Sequence, residues 1–331
     1  MTDHVRPLRL GTRGSALARA QSSAIAASIV GELGRKVELV EISTAGDRSS
    51  AAISQLGSTG VFVSSLREAL LAGDIDLAVH SYKDLPTAPA GGLTIAAVPR
   101  RADPRDVLVA RDGLGLAELP VGARVGTGSA RRIAQLRALG YGLELVGVRG
   151  NVDTRLAKVT SGELDAVVLA RAGLARLDRL DAITEVIDPL QMLPAPAQGA
   201  LAIECRVDDG PLLALLSVLD DPDSRVAVTA ERALLAALEA GCTAPVGALA
   251  EVADGDPVNG YGADGDTAHG LGPDGYGKPE LFLRGSVTAV DGADAVRLSA
   301  TGLTTDAEAI GRRLAAELIA DGASEILGSR P

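Results

Sequence analysis

The chain contains the same supersecondary pattern twice, and this repeat restricts the fold more than any other feature of the sequence. The first copy places a strand, a glycine turn, a helix and a second strand in order, at residues 8–10, 11–15, 16–33 and 37–42. The second copy places a turn, a helix and a strand at residues 124–129, 130–139 and 143–148. Strand–helix–strand units of this kind predict α/β lobes with largely parallel sheets.

A shorter internal match supports the repeat. Residues 73–79 (GDIDLAV) closely match residues 162–168 (GELDAVV), and each segment places an apolar strand after a helix. We therefore expect two lobes that are built to the same plan and face each other across a cleft. Ligands of such lobes bind where strand ends and helix N-termini point into the cleft.

Prolines predict where the chain crosses between the lobes. Pro99 and Pro104 mark one crossing, and residues 194–199 (PAPAQG) mark a second, after which residues 200–207 are typical of a strand of the first lobe. These hinged crossings predict three domains, at residues 1–100 with 198–220, at residues 101–197 and at residues 221–331.

The third predicted domain is a small C-terminal α+β domain. Its expected elements are a helix, two strands and a last helix, at residues 224–240, 246–252, 281–290 and 305–320. Between the strands, residues 254–278 are rich in Gly, Asp and Pro and have almost no apolar periodicity, which predicts a loop insertion.

Composition and charge exclude several classes of protein. The 331 residues carry a net charge of −11 and only 2% aromatic residues, whereas a nucleic-acid-binding protein needs a basic surface and usually stacking rings. The N-terminal residues lack the apolar core of a signal peptide, and no apolar run approaches the length of a membrane span. With two cysteines in apolar surroundings, the chain is expected to be cytoplasmic. Its three histidines are too scattered for a metal site.

Arginines cluster at the positions that should line the cleft. Arg13 lies in the first glycine turn, Arg131 and Arg132 begin the helix of the second lobe, and Arg149 and Arg155 flank the turn after the next strand. Helix N-termini offer free N–H groups, and added guanidinium groups make an anion site. Cations at a helix N-terminus are otherwise unfavourable. The set predicts an anion-binding cleft, with solvated surface arginines as the alternative.

The segment 80–86 (HSYKDLP) directly follows the predicted strand at residues 75–79. Lys83 is one of only four lysines, and Asp84 beside it is a natural general acid or base. An exposed ion pair is the alternative interpretation. Upstream, residues 43–60 are rich in small residues, and with Phe62 they are predicted to act as a lid over the cleft.

Cys242 lies in a tight loop, residues 241–247 (GCTAPVG), after a long predicted helix. A lone thiol cannot form a structural zinc site, and a helix C-terminus raises rather than lowers the pKa of a thiol. These residues alone leave the role of Cys242 open.

Six motifs in order resemble the hydroxymethylbilane synthase family, also called porphobilinogen deaminase, over essentially the whole chain. The motifs are GTRGS, AVHSYKD, VGTGSARR, RGNVDTRL, QGA and EAGC, at residues 11–15, 78–84, 125–132, 149–156, 198–200 and 239–242. The resemblance implies two periplasmic-binding-protein-like lobes of type II and a small cofactor domain. It also implies a monomeric transferase that joins four porphobilinogen molecules into hydroxymethylbilane, with release of ammonia, in haem biosynthesis.

The resemblance also implies the site residues. A dipyrromethane cofactor would be attached to Cys242 through a thioether, and Asp84 and Lys83 would be catalytic. The other cofactor-binding residues would be Ser15, Ser129, Arg131, Arg132 and Arg155, next to Lys83 and Asp84. The substrate-binding residues would be Arg13, Phe62, Ser81, Arg149, Arg155 and Arg176.

The chain departs from the family pattern in two places. Gln55 and Thr59 stand in the lid where many members carry lysines, and Pro196-Ala197 stands where Val-Gly usually precedes Gln-Gly. Two other classes of protein remain as alternatives. One is a non-enzymatic two-lobe anion-binding or sensor protein, and the other is a phosphate-handling transferase that uses the turn at residues 126–129, which lacks a P-loop ending.

Overall fold

The computed structural model describes residues 6–42, 61–241, 244–255 and 277–328. Cys242 and the predicted lid at residues 43–60, with Gln55 and Thr59, lie outside these ranges. Phe62 lies in a described helix, but its side chain is outside the described part of the structure.

The first lobe is a five-stranded sheet with helices on both faces. Its strands, in the order β2-β1-β3-β10-β4 across the sheet, are β1 (Leu8–Thr12), β2 (Val37–Glu41), β3 (Leu77–Ser81), β4 (Leu93–Ala97) and β10 (Leu201–Arg206). Its helices are α1 (Ala16–Leu33), α2 (Val61–Ala72) and α6 (Gly210–Leu216). Only β10 runs antiparallel to its neighbours, so the predicted largely parallel sheet is confirmed.

The second lobe repeats this plan. Its strands, in the order β7-β6-β8-β5-β9, are β5 (Asp106–Ala110), β6 (Arg124–Gly126), β7 (Glu144–Val146), β8 (Ala166–Ala170) and β9 (Glu185–Val186). Its helices are α3 (Ala130–Ala138), α4 (Val152–Thr160) and α5 (Arg171–Arg176). Here β5 is the antiparallel strand. In each lobe, therefore, the antiparallel strand is the one that enters directly from the other lobe.

The match between residues 73–79 and 162–168 has a common structural basis. Asp76 and Asp165 precede the central strands β3 and β8, and each carboxylate accepts the backbone N–H of a residue on the neighbouring strand. The N–H of Arg9 lies 2.8 Å from Asp76 Oδ2, and that of Arg124 lies 2.7 Å from Asp165 Oδ2. Each acidic residue also returns its own backbone N–H to the carbonyl of the same arginine. The repeat is thus a local device that fixes the start of a central strand.

The third domain is a three-stranded antiparallel sheet covered by two helices. Its elements are β11 (Val246–Gly255), β12 (Gly277–Thr288), β13 (Ala295–Leu303), α7 (Pro222–Ala237), α8 (Ala307–Leu318) and the short α9 (Ser324–Gly328). Strand β13 is absent from the sequence prediction. The predicted insertion at residues 254–278 is also too long at both ends, because β11 continues to Gly255 and β12 starts at Gly277, where the two glycines are register partners.

One buried carboxylate joins both crossings to the third domain. Glu231, on α7, is fully buried, and its two oxygens accept hydrogen bonds from Arg101 of the first crossing at 2.6 and 3.0 Å. The same carboxylate accepts the N–H groups of Ala197 in the second crossing and Ala250 in β11. Ala197 itself has a φ of 60°, a left-handed conformation in which a residue other than glycine is uncommon.

None of the described helices is long and apolar enough to cross a membrane.

Candidate active site

The predicted catalytic pair, Lys83 and Asp84, lies directly after the C-terminal end of β3, the central strand of the first lobe. The strand is apolar and buried over residues 77–79, and it ends at Ser81, whose hydroxyl accepts a 2.8 Å hydrogen bond from Gln21 of α1. Lys83 and Asp84 follow in a single 3₁₀ turn. The short turn places both charged side chains directly beyond the strand end, as the sequence predicts.

Lys83 is half-buried and is surrounded by charges of both signs. Its Nζ donates to Gln198 Oε1 at 3.1 Å. Burial lowers the pKa of the Lys83 ammonium to about 8, and the positive charges of Arg132 and Arg131 act in the same direction. The negative charges of Asp84 and Asp106 oppose this lowering of the pKa. Lys83 of the first lobe is therefore close enough to the arginine pair of the second lobe for their charges to interact.

Asp84 differs from its neighbour because it is exposed. None of the described residues donates a hydrogen bond to its carboxylate, so no such bond competes with a ligand. An exposed carboxylate beside a half-buried ammonium can bind N–H groups of a ligand and can exchange a proton with it.

Arg131 and Arg132, at the start of α3, are buried and share an internal carboxylate. Asp106, the first residue of β5, accepts from Arg131 Nη2 at 2.7 Å and from Arg132 Nη2 at 2.8 Å. Burial alone would raise the pKa of the Asp106 carboxyl, but the two arginines and the hydrogen bonds from Arg132 and Gln198 lower it to about 2. The arginine pair is thus already ion-paired, which its position at a helix N-terminus did not predict.

Arg155 and Arg176 add further positive charge, Arg155 near Arg132 and Arg176 at the second crossing. Arg155 Nε donates to the Gly150 carbonyl at 3.0 Å, and burial followed by the charge of Arg132 lowers its pKa. Arg176 Nη2 donates to the carbonyl of Gly199 in the second crossing at 2.6 Å, and burial lowers its pKa to about 10.

The remaining predicted residues lie on the turns around these groups. Ser15 is the N-cap of α1 and accepts the N–H of Ala18 at 3.3 Å. Ser129 holds the N-cap position of α3, but its hydroxyl does not cap the helix. Arg13 lies half-buried in the turn between β1 and α1, and Arg149 is exposed beyond β7.

Family models match most of the chain. Residues 8–214 match the model described as "Porphobilinogen deaminase, dipyromethane cofactor binding domain", and residues 226–320 match "Porphobilinogen deaminase, C-terminal domain". The chain belongs to the porphobilinogen deaminase family. The resemblance drawn from the six motifs is therefore confirmed, and with it the prediction of a transferase of tetrapyrrole biosynthesis with a dipyrromethane cofactor. The two alternative classes, a non-enzymatic binding protein and a phosphate-handling transferase, are not supported.

Curated porphobilinogen deaminases resemble the chain over nearly its whole length. The protein of Mycobacterium tuberculosis (strain H37Rv) is 57% identical over 320 residues, which cover 97% of this chain and 98% of that protein. The protein of Nocardia farcinica is 57% identical over 321 residues, with coverage of 97% and 88%.

Solved structures of periplasmic binding proteins show a weaker likeness. A periplasmic substrate-binding protein of an ABC transporter from Coxiella burnetii aligns with a TM-score of 0.42 and 13% identity, over 66% of this chain and 94% of that one. A protein from Bacillus subtilis described as "a putative methionine-binding lipoprotein" aligns with a TM-score of 0.40 and 16% identity, over 65% of this chain and 90% of that one.

The charged residues around Lys83 and Asp106 fit the carboxylates of the cofactor of the porphobilinogen deaminase family. Each pyrrole unit of a dipyrromethane carries two carboxylate arms, and Arg131 has a donor atom that would suit a carboxylate oxygen. Its Nε is buried and has no hydrogen-bond partner among the described residues. An unpaired buried donor costs about 1–3 kcal/mol, and a carboxylate oxygen bound there would remove that cost.

Two buried polar residues of this deaminase are missing from the predicted site, although the sequence contains a signal for each. Asp106 is the only charged residue of the strand DVLVA, whose other members are apolar and buried. Glu231 lies on the face of α7 that also carries the buried residues Val228, Leu234 and Leu235. A single charge in an apolar pattern predicts a buried carboxylate with a specific partner.

Proposed function

We propose that this chain condenses four porphobilinogen molecules head to tail into hydroxymethylbilane, with release of four ammonia molecules and consumption of one water in a final hydrolysis. The reaction would take place on a dipyrromethane cofactor attached to Cys242 through a thioether. Membership of the porphobilinogen deaminase family supports the reaction. The observation that carries the assignment of residues is the charge of the cleft. Three cations, Lys83, Arg131 and Arg132, lie near the carboxylates of Asp84 and Asp106, and the charge of Arg132 also acts on Arg155.

The excess positive charge suits a product that gains carboxylates as it grows. Each added pyrrole unit brings two carboxylates, and guanidinium groups bind carboxylates through paired, charge-assisted hydrogen bonds. We assign carboxylate binding to Arg131, Arg132, Arg155 and Lys83 for the cofactor, and to Arg13, Arg149, Arg155 and Arg176 for the substrate. Ser15, Ser81 and Ser129 add neutral donors, and Phe62 is assigned to the substrate side.

Asp84 is assigned to the chemical step. When bound, the cofactor supplies the pyrrole carbon to which the first substrate is joined. Asp84 delivers a proton to the departing amine of porphobilinogen, so that ammonia leaves. Once ionised, the same carboxylate accepts the pyrrole N–H and stabilises the positive charge that ammonia leaves on the substrate. Lys83 binds a carboxylate of the ligand next to Asp84.

We also propose the domain boundaries 1–100 with 198–220, 101–197 and 221–331, and a monomeric enzyme of the cytoplasm without nucleic-acid or membrane partners. Family-model matches that end at residue 214 and resume at residue 226 support a boundary near residue 221. The net charge of −11 and the free, buried thiol of Cys205 support the choice of partners and of a reducing compartment.

Mass spectrometry tests the cofactor assignment. We expect the intact protein, purified under denaturing conditions, to exceed its sequence mass by two linked pyrrole units, and peptide mapping to place them on Cys242. Cys242→Ser should remove the added mass and nearly all activity.

Cys205 is the matched control because it is the only other cysteine. It lies fully buried in β10, and burial raises its pKa to about 11, so it should not react. Cys205→Ser should therefore keep both the added mass and the activity. An adduct on Cys205, or an unmodified Cys242 in active enzyme, would contradict the assignment.

A further inference from the structure

Gln198 lies in the second crossing and connects charged groups of the two lobes. Its side chain is 1% exposed, and all of its polar atoms have partners. Its Oε1 accepts from Lys83 Nζ at 3.1 Å. Its Nε2 donates to the carbonyl of Pro104 at 2.7 Å and to Asp106 Oδ1 at 2.8 Å.

The two ends of this side chain face groups of opposite charge. A neutral amide presents an acceptor to the Lys83 ammonium and a donor to the Asp106 carboxylate, which neither a carboxylate nor an ammonium side chain can do. Leu and Asn fail for different reasons, since Leu has no polar atoms and Asn is one methylene shorter. The backbone of Gln198 is held as well, because its carbonyl accepts Arg101 Nε at 2.8 Å.

Asp106 extends the connection to the arginine pair. Its Oδ1 atom accepts hydrogen bonds from Gln198 Nε2 and from the guanidinium of Arg132, and its Oδ2 atom accepts one from Arg131. Hydrogen bonds thus run from Lys83 in the first lobe through Gln198 and Asp106 to two arginines of the second lobe.

We infer that Gln198 is a positioning residue that holds the Lys83 ammonium at the cleft and fixes it relative to the Asp106–arginine cluster. This inference rests on the proposed function insofar as Lys83, Arg131 and Arg132 bind the cofactor. Gln198 itself touches neither cofactor nor substrate in this assignment. Gln198 contributes by fixing the distances between three cations, Lys83, Arg131 and Arg132, which bind carboxylates of the same ligand.

The protonation of Lys83 reports this contact directly. The charged groups that face its ammonium are Asp84 on its own turn, Asp106 from β5, and Arg131 and Arg132 from α3. The amide oxygen of Gln198 stabilises the protonated form against burial and against the two arginines. Removing that oxygen should therefore lower the pKa of Lys83.

The titration of Lys83 can be followed by carbon NMR, because the chain has only four lysines. Full-length protein labelled with ¹³C at the lysine ε-carbon would be titrated in the Cys242→Ser background, so that differences in cofactor loading cannot move the signal. Lys83→Arg assigns the resonance. The test variant is Gln198→Leu, and the matched control is Gln135→Leu. Gln135 is also a fully buried amide with two hydrogen bonds, but both go to the backbone of Leu193.

We expect Gln198→Leu to lower the pKa of Lys83 by about one unit, the shift that corresponds to the loss of one hydrogen bond to a charged group. Gln135→Leu should leave it unchanged. If Gln198→Leu does not fold, Gln198→Asn carries the same expectation. An unchanged or raised Lys83 pKa in the Gln198 variant, or an equal shift in the Gln135 control, would overturn the inference.

The outcome is independent of the cofactor assignment. If Cys242 proves unmodified in active wild-type enzyme, the proposed function fails while the Lys83 titration still decides the role of Gln198. If Cys242 carries the adduct and the Lys83 pKa does not move, only the positioning role is refuted.

Discussion

Replacement of Asp106 by Asn should destabilise the second lobe severely. The carboxylate is fully buried and accepts four hydrogen bonds, one from Arg131, two from Arg132 and one from Gln198. Asparagine keeps the shape of the side chain but leaves two buried guanidinium groups without a counter-charge. Breaking a buried ion pair by removing one partner costs about 3–5 kcal/mol.

The lowered pKa of Asp106 agrees with this destabilisation in direction, because the same two arginines cause it. Its lowering from 3.8 to about 2 corresponds to about 2–3 kcal/mol of stabilisation of the charged form. That figure describes protonation alone, whereas Asp106→Asn also places an amide donor against the arginines. Each kcal/mol of lost stability lowers the thermal unfolding midpoint by about 2–4 °C. The midpoint of Asp106→Asn should therefore fall by roughly 10 °C at pH 7.

The pH dependence has a definite sign. The folded-state pKa lies below the ordinary value, so the stabilisation is complete above about pH 4 and is lost as the pH falls through about 2. The difference in midpoint between wild type and Asp106→Asn should therefore be constant from about pH 8 to pH 5 and should shrink below about pH 4.

Thermal unfolding followed by circular dichroism measures both effects. Glu308→Gln is the control because it removes a carboxylate from an exposed pair with Arg312 on α8. Exposed pairs contribute about 0–1 kcal/mol, so this midpoint should move by about 3 °C or less. An Asp106→Asn midpoint as close to wild type as that of the control would refute the reasoning, and so would a difference that persists undiminished at pH 2.

Two further changes test the catalytic carboxylate and the insertion. Asp84→Asn should reduce the rate of ammonia release by roughly two orders of magnitude or more, which is the contribution of a general acid. The unfolding midpoint should stay at the wild-type value because Asp84 is exposed. Near-normal ammonia release would refute the role of Asp84. Replacing residues 256–276 by a two-residue turn should preserve the fold and activity, because Gly255 and Gly277 are already register partners of β11 and β12; a folded but inactive variant would show that the segment has a role in catalysis.

Local signals in the sequence predict the elements whose ends are set locally. Helix α1 is predicted at its observed bounds, because Ser15 caps its start and Gly34 ends it with a φ of 64°. Strand β13 is missed although its side chains alternate between inward and outward positions, because the inward positions include the small residues Ala300 and Gly302. Strand β11 continues three residues beyond its predicted end and β12 begins four residues before its predicted start, because ladder pairing continues into glycine-rich sequence. At its other end, β12 stops two residues before the predicted bound.

The cations of the site could be predicted, but their partners could not. Arg131 and Arg132 belong to a recognisable motif at the start of a helix. Their counter-ion, Asp106, lies about 25 residues away, and the amide that joins Asp106 to Lys83 lies 92 and 115 residues from them. Periodicity describes one element at a time, so it carries no information on polar contacts between elements so distant in the chain.

The position of Glu231 has a consequence for motion. When two bodies turn about a shared axis, points near the axis move least, and the axis of two lobes joined by two crossings passes close to those crossings. Glu231 binds both of them through Arg101 and Ala197, and it binds β11 through Ala250. The third domain is therefore attached close to that axis, so a rotation of the lobes about it would move their outer edges most and this attachment least.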